Sequence, residues 1–127
     1  NCAAMEGGGA MRGGPLASTQ VEGGRILPYT EVFCDRLEQV LAAGWGSAPL
    51  YRRHVLTGRA MARVLAHEIY HFLAQEKGHA GSGVAKNCFH HRDLLGEEFA
   101  FDEHTAGRMR GRAEQGESGE EEPAGRE

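Results

Sequence analysis

Long hydrophobic runs are missing from this chain. No stretch comes near the roughly 20 consecutive apolar residues that a membrane span needs, and the first residues, NCAAMEGGGAMRGG, have neither the basic region nor the apolar core of a signal peptide. The expectation is a chain without a membrane segment, and its localisation stays open. Cysteine is scarce: Cys2, Cys34 and Cys88 form no CxxC pair, so a structural zinc finger has no support. Three cysteines cannot all pair within the chain, and a Cys34–Cys88 disulfide is a possible bridge. Positive charge is also short. The formal net charge is −4, and RMRGR at 108–112 is the one dense basic run, which reads as a solvated stretch, so no nucleic-acid partner is expected. A hydrophobic pattern is lacking at both ends. Residues 1–14 are glycine-rich and 113–127, AEQGESGEEEPAGRE, are acidic. The organisation expected is a disordered segment 1–14, a domain 15–105 and a disordered charged tail 106–127.

What the chain does have is His67-Glu68-Ile69-Tyr70-His71, an HExxH pattern. On an α-helix four residues make about 400° of rotation and about 6 Å of rise, so His67 and His71 project from one face and can grip one ion. Glu68 lies about 100° round from His67, better placed to reach a metal-held water than to replace a ligand. The helix itself is predicted from Thr57 to Lys77: Gly58 is its only glycine, it has no proline, and Thr57 is a good N-cap. Met61, Leu65, Ile69 and Phe72 form an apolar stripe that should be buried, with the histidines off it.

Catalytic zinc usually takes three protein ligands and leaves a position for water. His79, after Gly78, is the leading candidate for the third. An unbroken helix to Lys77 would hold His79 about 12 Å along the axis from His71, so this choice requires the helix to break near Ala74 to Glu76. A downstream carboxylate (Glu97, Glu98 or Asp102) or His90 or His91 stays in contention, since catalytic zinc sites use both His₃ and His₂Glu sets.

The segment HEIYHFLAQEKGH resembles the zincin superfamily of metallopeptidases over residues 57–85, as a stretched form of the metzincin motif. Ala74 stands where metzincins have glycine and Lys77 where they have the third histidine. With GRAMARVLAHEIYH before it and GSGVAK after it, the segment is similar to small bacterial zincin-type proteins. The resemblance implies His67, His71 and His79 as Zn²⁺ ligands, Glu68 as catalytic base, and a peptide or protein substrate. Zinc would bring the pKa of its water towards about 7, and Glu68 would pass that proton to the leaving amine.

The rest of the core reads as α+β. LASTQV (16–21) and RILPY (25–29) are β-like runs about a hairpin turn at Glu22-Gly23-Gly24. Thr30 is placed to cap a helix from Glu31 to about Ala43, with Phe33, Leu37, Val40 and Leu41 buried and Gly44 ending it. RDLL reads as one helical turn, and EFAFD as a short strand with Phe99 and Phe101 inward. By the resemblance this is a small zincin-like domain: a short twisted sheet, a backing helix and the HExxH helix, with an edge strand over the cleft. Tyr70 reads as core more readily than as an oxyanion donor, and Met109, between arginines, makes a poor Met-turn. Two other functions stay open: a non-catalytic zinc-stabilised binding domain, which has no need of Glu68, and a small metal-dependent RNA-processing hydrolase. Peptide deformylases share the HExxH helix, but VFCD around Cys34 lacks their cysteine motif.

Overall fold

A computed structural model describes residues 3–4, 14–80 and 82–117. Its elements, in chain order, are β1 (Ala3–Ala4), β2 (Ala17–Glu22), β3 (Arg25–Val32), α1 (Cys34–Trp45), α2 (Leu50–Ala74), β4 (Cys88–Phe89), α3 (His91–Leu95) and α4 (Glu103–Glu117). The mixture of helix and antiparallel strand agrees with the α+β expectation. β2 and β3 form a hairpin, and β1 pairs with β4 in a second, minimal ladder.

The hairpin turns at Gly23-Gly24, whose φ values of 57° and 78° are both positive. Only a turn of this left-handed kind matches the twist of two directly joined strands, and glycine adopts it without a Cβ clash. β3 then runs further than RILPY suggests, because Ala17, Ser18 and Thr19 pair with Val32, Glu31 and Thr30. Thr30 is therefore a strand residue and caps nothing. The helix expected from Glu31 starts at Cys34, and Gly44 lies inside it.

Helix α2 dominates the molecule. It starts at Leu50, with Pro49 in the N-cap position, seven residues before the start predicted at Thr57. The Thr57 hydroxyl donates instead to the Arg53 carbonyl at 2.8 Å, the i−4 bond that a threonine makes inside a helix. One core cluster joins Leu37 and Leu41 of α1, Ala60 and Val64 of α2, Phe89 of β4 and Leu94 of α3. A second joins Tyr70 and Ala74 of α2 to Ala85, with Phe101 and Met109 packed on it. The stripe expected to be buried is only partly so: Met61 packs on the first cluster, but Leu65 and Ile69 are 37% and 52% exposed.

Arg63, 9% exposed, ties α3 to α2: its guanidinium donates to the carbonyls of Asp93 (2.8 Å) and Gly96 and lies 4.8 Å over the Phe99 ring. Burial, with the charge of Arg59 adding to it, lowers the pKa of that guanidinium. RDLL is helical as expected, within α3. EFAFD is not a strand; Phe99 and Phe101 leave in the directions of different clusters, so no alternation is enforced.

The charged tail expected from residue 106 begins within α4, which continues to Glu117 and is fastened to α2 through Met109 and to the turn after α2 through the Arg108–Glu76 ion pair. In the stretch expected to be disordered at the start, Ala3–Ala4 pair with Phe89 and Cys88. The rest of that expectation, apart from Gly14, and residues 118–127 lie outside the described residues. The Cys34–Cys88 bridge is not made: Cys34 is free and exposed at the start of α1, whereas Cys88, in β4 beside β1, is disulfide-bonded. Among the described residues no helix is long and apolar enough to cross a membrane.

Candidate metal centre

His67 and His71 lie one turn apart on the buried face of α2, 0% and 2% exposed. Their Nε2 atoms are 3.0 Å apart. Each ring is turned by a main-chain carbonyl: His67 Nδ1 donates to Val84 O at 2.7 Å, and His71 Nδ1 donates to Glu76 O at 2.6 Å. A carbonyl only accepts, so it fixes the proton on Nδ1 and leaves the Nε2 lone pair facing inward, the outer-shell arrangement common among metal-binding histidines.

Two such lone pairs facing across 3.0 Å repel unless an electrophile is shared between them. A proton would suffice for two. A third imidazole converges here, however: the candidate ligand atoms of His67, His71 and His79 all lie within 4.8 Å of one another. Tetrahedral zinc with bonds of about 2.0–2.1 Å separates its nitrogens by about 3.3 Å, so these three rings need only small adjustments to share an ion. The donor set fits the metal, and the cluster is the one suggested by HExxH and Gly78-His79.

His79 reaches its place because α2 stops at Ala74, within the window where the sequence required a break. Gln75 takes the left-handed conformation (φ 48°) without being glycine. Its own side chain compensates: Oε1 accepts from Ile26 N at 3.0 Å, while Nε2 donates to Ile26 O and Phe72 O at 2.9 Å each. The next turn is held from three sides. Tyr70 Oη donates to Gly78 O at 2.9 Å, Gly78 N donates to Glu76 Oε1 at 2.8 Å, and Arg108 of α4 donates to Glu76 Oε2 at 2.8 Å. The Arg108 hydrogen bond, joined by that from Gly78, holds the Glu76 carboxyl below its usual pKa. Tyr70, 3% exposed, is thus a core residue whose hydroxyl steadies the turn carrying His79.

Glu68 is 1% exposed, beside the cluster but not part of it. Thr19 of β2 donates its hydroxyl to Glu68 Oε2, and Thr19 and Thr30 share a cross-strand hydrogen bond of 2.8 Å. The hairpin register slips between Thr19 and Val21, as a bulge that re-aims a side chain would make it do.

The other candidate ligands lie outside the cluster. Asp102 caps α4, accepting from Thr105 N at 2.8 Å and Thr105 Oγ1 at 2.9 Å, and these bonds, the backbone one first, lower its pKa. Glu97 and Glu98 are exposed, His90 caps α3 and His91 is exposed on it; none joins the cluster. Nothing in the sequence pointed to Thr19, Val84 or Arg108, which reach Glu68, His67 and Glu76 across 49, 17 and 32 positions of chain, or to Gln75, which is held by Ile26 across 49. Against protein-family models, curated proteins and solved structures, the chain has no match.

Proposed function

We propose that the chain is a zinc-dependent hydrolase acting on peptide bonds, with His67, His71 and His79 holding the ion and Glu68 as general base. One observation carries this reading: Glu68, which follows His67 on α2, is withdrawn from water at 1% exposure yet does not belong to the donor set of the three converging imidazoles. A purely structural zinc site has no use for a buried acid there. Zinc, when bound, supplies Lewis acidity that polarises a scissile carbonyl and acidifies water. Glu68 takes the proton of the attacking water and returns it to the leaving amine. Thr19 keeps that carboxylate in one orientation, so little reorganisation accompanies the transfer.

The hairpin gives a place for the peptide. Among the described strands β2 pairs with β3 on one side only, and its other edge offers main-chain groups to which an extended segment can add. A hairpin beside an HExxH helix that breaks before a third histidine is the arrangement that the zincin resemblance implies. The deep burial of the histidines favours one rival, a zinc-stabilised binding domain.

Glu68→Gln separates the two. Glutamine keeps the size and a polar contact but cannot relay a proton. Zinc content and thermal stability should stay close to the parent's, while hydrolysis of a mixed peptide library, read by mass spectrometry, falls by at least about 10²-fold. A zinc-loaded parent that cleaves nothing, or a Gln variant as fast as the parent, would sink the hydrolase reading in favour of the binding domain.

A further inference from the structure

Building on the hydrolase reading above, we propose that the cavity beside His71 is a carboxylate subsite, in which Lys77 receives an acidic side chain or the C-terminal carboxylate of the substrate. The cavity measures about 200 Å³ and is bounded by Ser18, Thr19, Val21, Ile26, His71 and Lys77. It is smaller than sites for drug-sized ligands, about 300 Å³ and upward, and suits a single side chain. His71 forms one wall, so an occupant lies next to the atoms that would react.

The residues that line this cavity carry charge of one sign. Lys77 is its only charged lining residue, is exposed, and has no salt bridge among the described residues. The adjacent Glu76 cannot neutralise it cheaply, because its carboxylate is already bonded to Arg108 and to Gly78 N. Glu68 is engaged by Thr19. An ammonium has three donors and no acceptor, so its complement is an anion. Val21 and Ile26 supply apolar walls that favour the methylenes of an acidic residue. Ser18 adds a hydroxyl for the second carboxylate oxygen.

The test measures binding, without turnover. Zinc-loaded Glu68→Gln protein is titrated calorimetrically with blocked tetrapeptides in which one Glu, or its neutral counterpart Gln, occupies each position in turn. A parallel pair carries a free or an amidated C-terminus. The acidic member of one pair should bind about fivefold tighter, the upper range for a part-exposed ion pair, and the pair that shows it identifies the carboxylate's source. Adding Lys77→Met should abolish the preference and Lys77→Glu should reverse it, with unchanged melting because Lys77 is exposed. Equal binding of acidic and neutral peptides, or a preference that survives Lys77→Met, overturns the subsite. Parent enzyme that hydrolyses peptides without the preference refutes the subsite alone, whereas the preference in an inactive parent refutes the hydrolase reading alone.

Discussion

Replacing Gly83 by alanine attacks the candidate metal centre without touching any of its three histidines. Gly83 has φ 72°, and a Cβ there would lie 2.6 Å from Ala100 O and 3.3 Å from Asp102 N. Both obstacles are main chain and cannot swing aside. The left-handed conformation costs alanine about 1 kcal/mol, and the overpacking about another 1–3 kcal/mol. Relief by movement breaks the 2.9 Å bond from Val84 N to Ala100 O, worth about 1 kcal/mol. The sum is about 4 kcal/mol, a large share of the stability of a small domain. Gly23→Ala is the control: it too has positive φ, 57°, but nothing lies within 4 Å of its added Cβ, so only the conformational cost of about 1 kcal/mol applies.

Urea unfolding of the parent and both variants should therefore separate the two glycines by about 3 kcal/mol. Zinc affinity adds a second reading. Val84 O orients the His67 ring, and loss of such an outer-shell partner weakens metal binding about 10-fold or more, so competition with a chelator should show the defect in Gly83→Ala and not in Gly23→Ala. Equal destabilisation by the two substitutions would refute the packing argument. A destabilised Gly83→Ala with the parent's zinc affinity would refute the coupling of Val84 to the site.

Two further outcomes are expected. His79→Ala should weaken zinc binding by more than about 10²-fold while His90→Ala leaves it unchanged, as one removes a ligand and the other a helix cap; equal affinities in chelator competition would move the third ligand elsewhere. Asp93→Asn should destabilise by about 1 kcal/mol at neutral pH. Burial alone would raise the Asp93 carboxyl, but the hydrogen bond and charge of Lys86, 2.7 Å away, and the bonds from His90 hold it below its usual value. A depressed folded pKa stabilises above the unfolded pKa and loses that contribution as pH falls through the folded one, so the gap between parent and variant should close below about pH 4. A gap that persists unchanged in acid unfolding curves would show that the charge is not its source.

The histidine cluster was legible because its geometry is local. Two histidines four apart on a helix must share a face, and the reach of an unbroken helix showed that His79 required a break before Lys77. The device that makes the break was not legible. Gln75 has no intrinsic liking for φ 48°; what holds it there is a pair of hydrogen bonds to Ile26, in a strand 49 residues away. Thr57 misled for the opposite reason. A threonine suits an N-cap, but Pro49 provides an earlier start, and Arg53 anchors the first turns by donating to Ala48 O and lying over the Trp45 ring.

The deeper failure concerns which face of α2 is inside. An apolar stripe locates the core only when the opposite face is polar. α2 is apolar on both: Leu56, Ala60, Val64 and Ala74 are buried with the histidines, whereas Tyr51, Val55, Leu65 and Ile69, also at helical spacing, are exposed. Side-chain size near the histidines favours the wrong side, since Leu65 and Ile69 are larger than Ala60 and Val64. The polar groups decide. His67, Glu68 and His71 can be withdrawn from water only where partners meet them, and Val84 O, Glu76 O and the Thr19 hydroxyl do so on one side of the helix. Turning α2 to bury Leu65 and Ile69 would strip those groups of their partners, at about 1–3 kcal/mol each and more for a charged carboxylate. The face that carries the chemistry is therefore the face that the fold encloses.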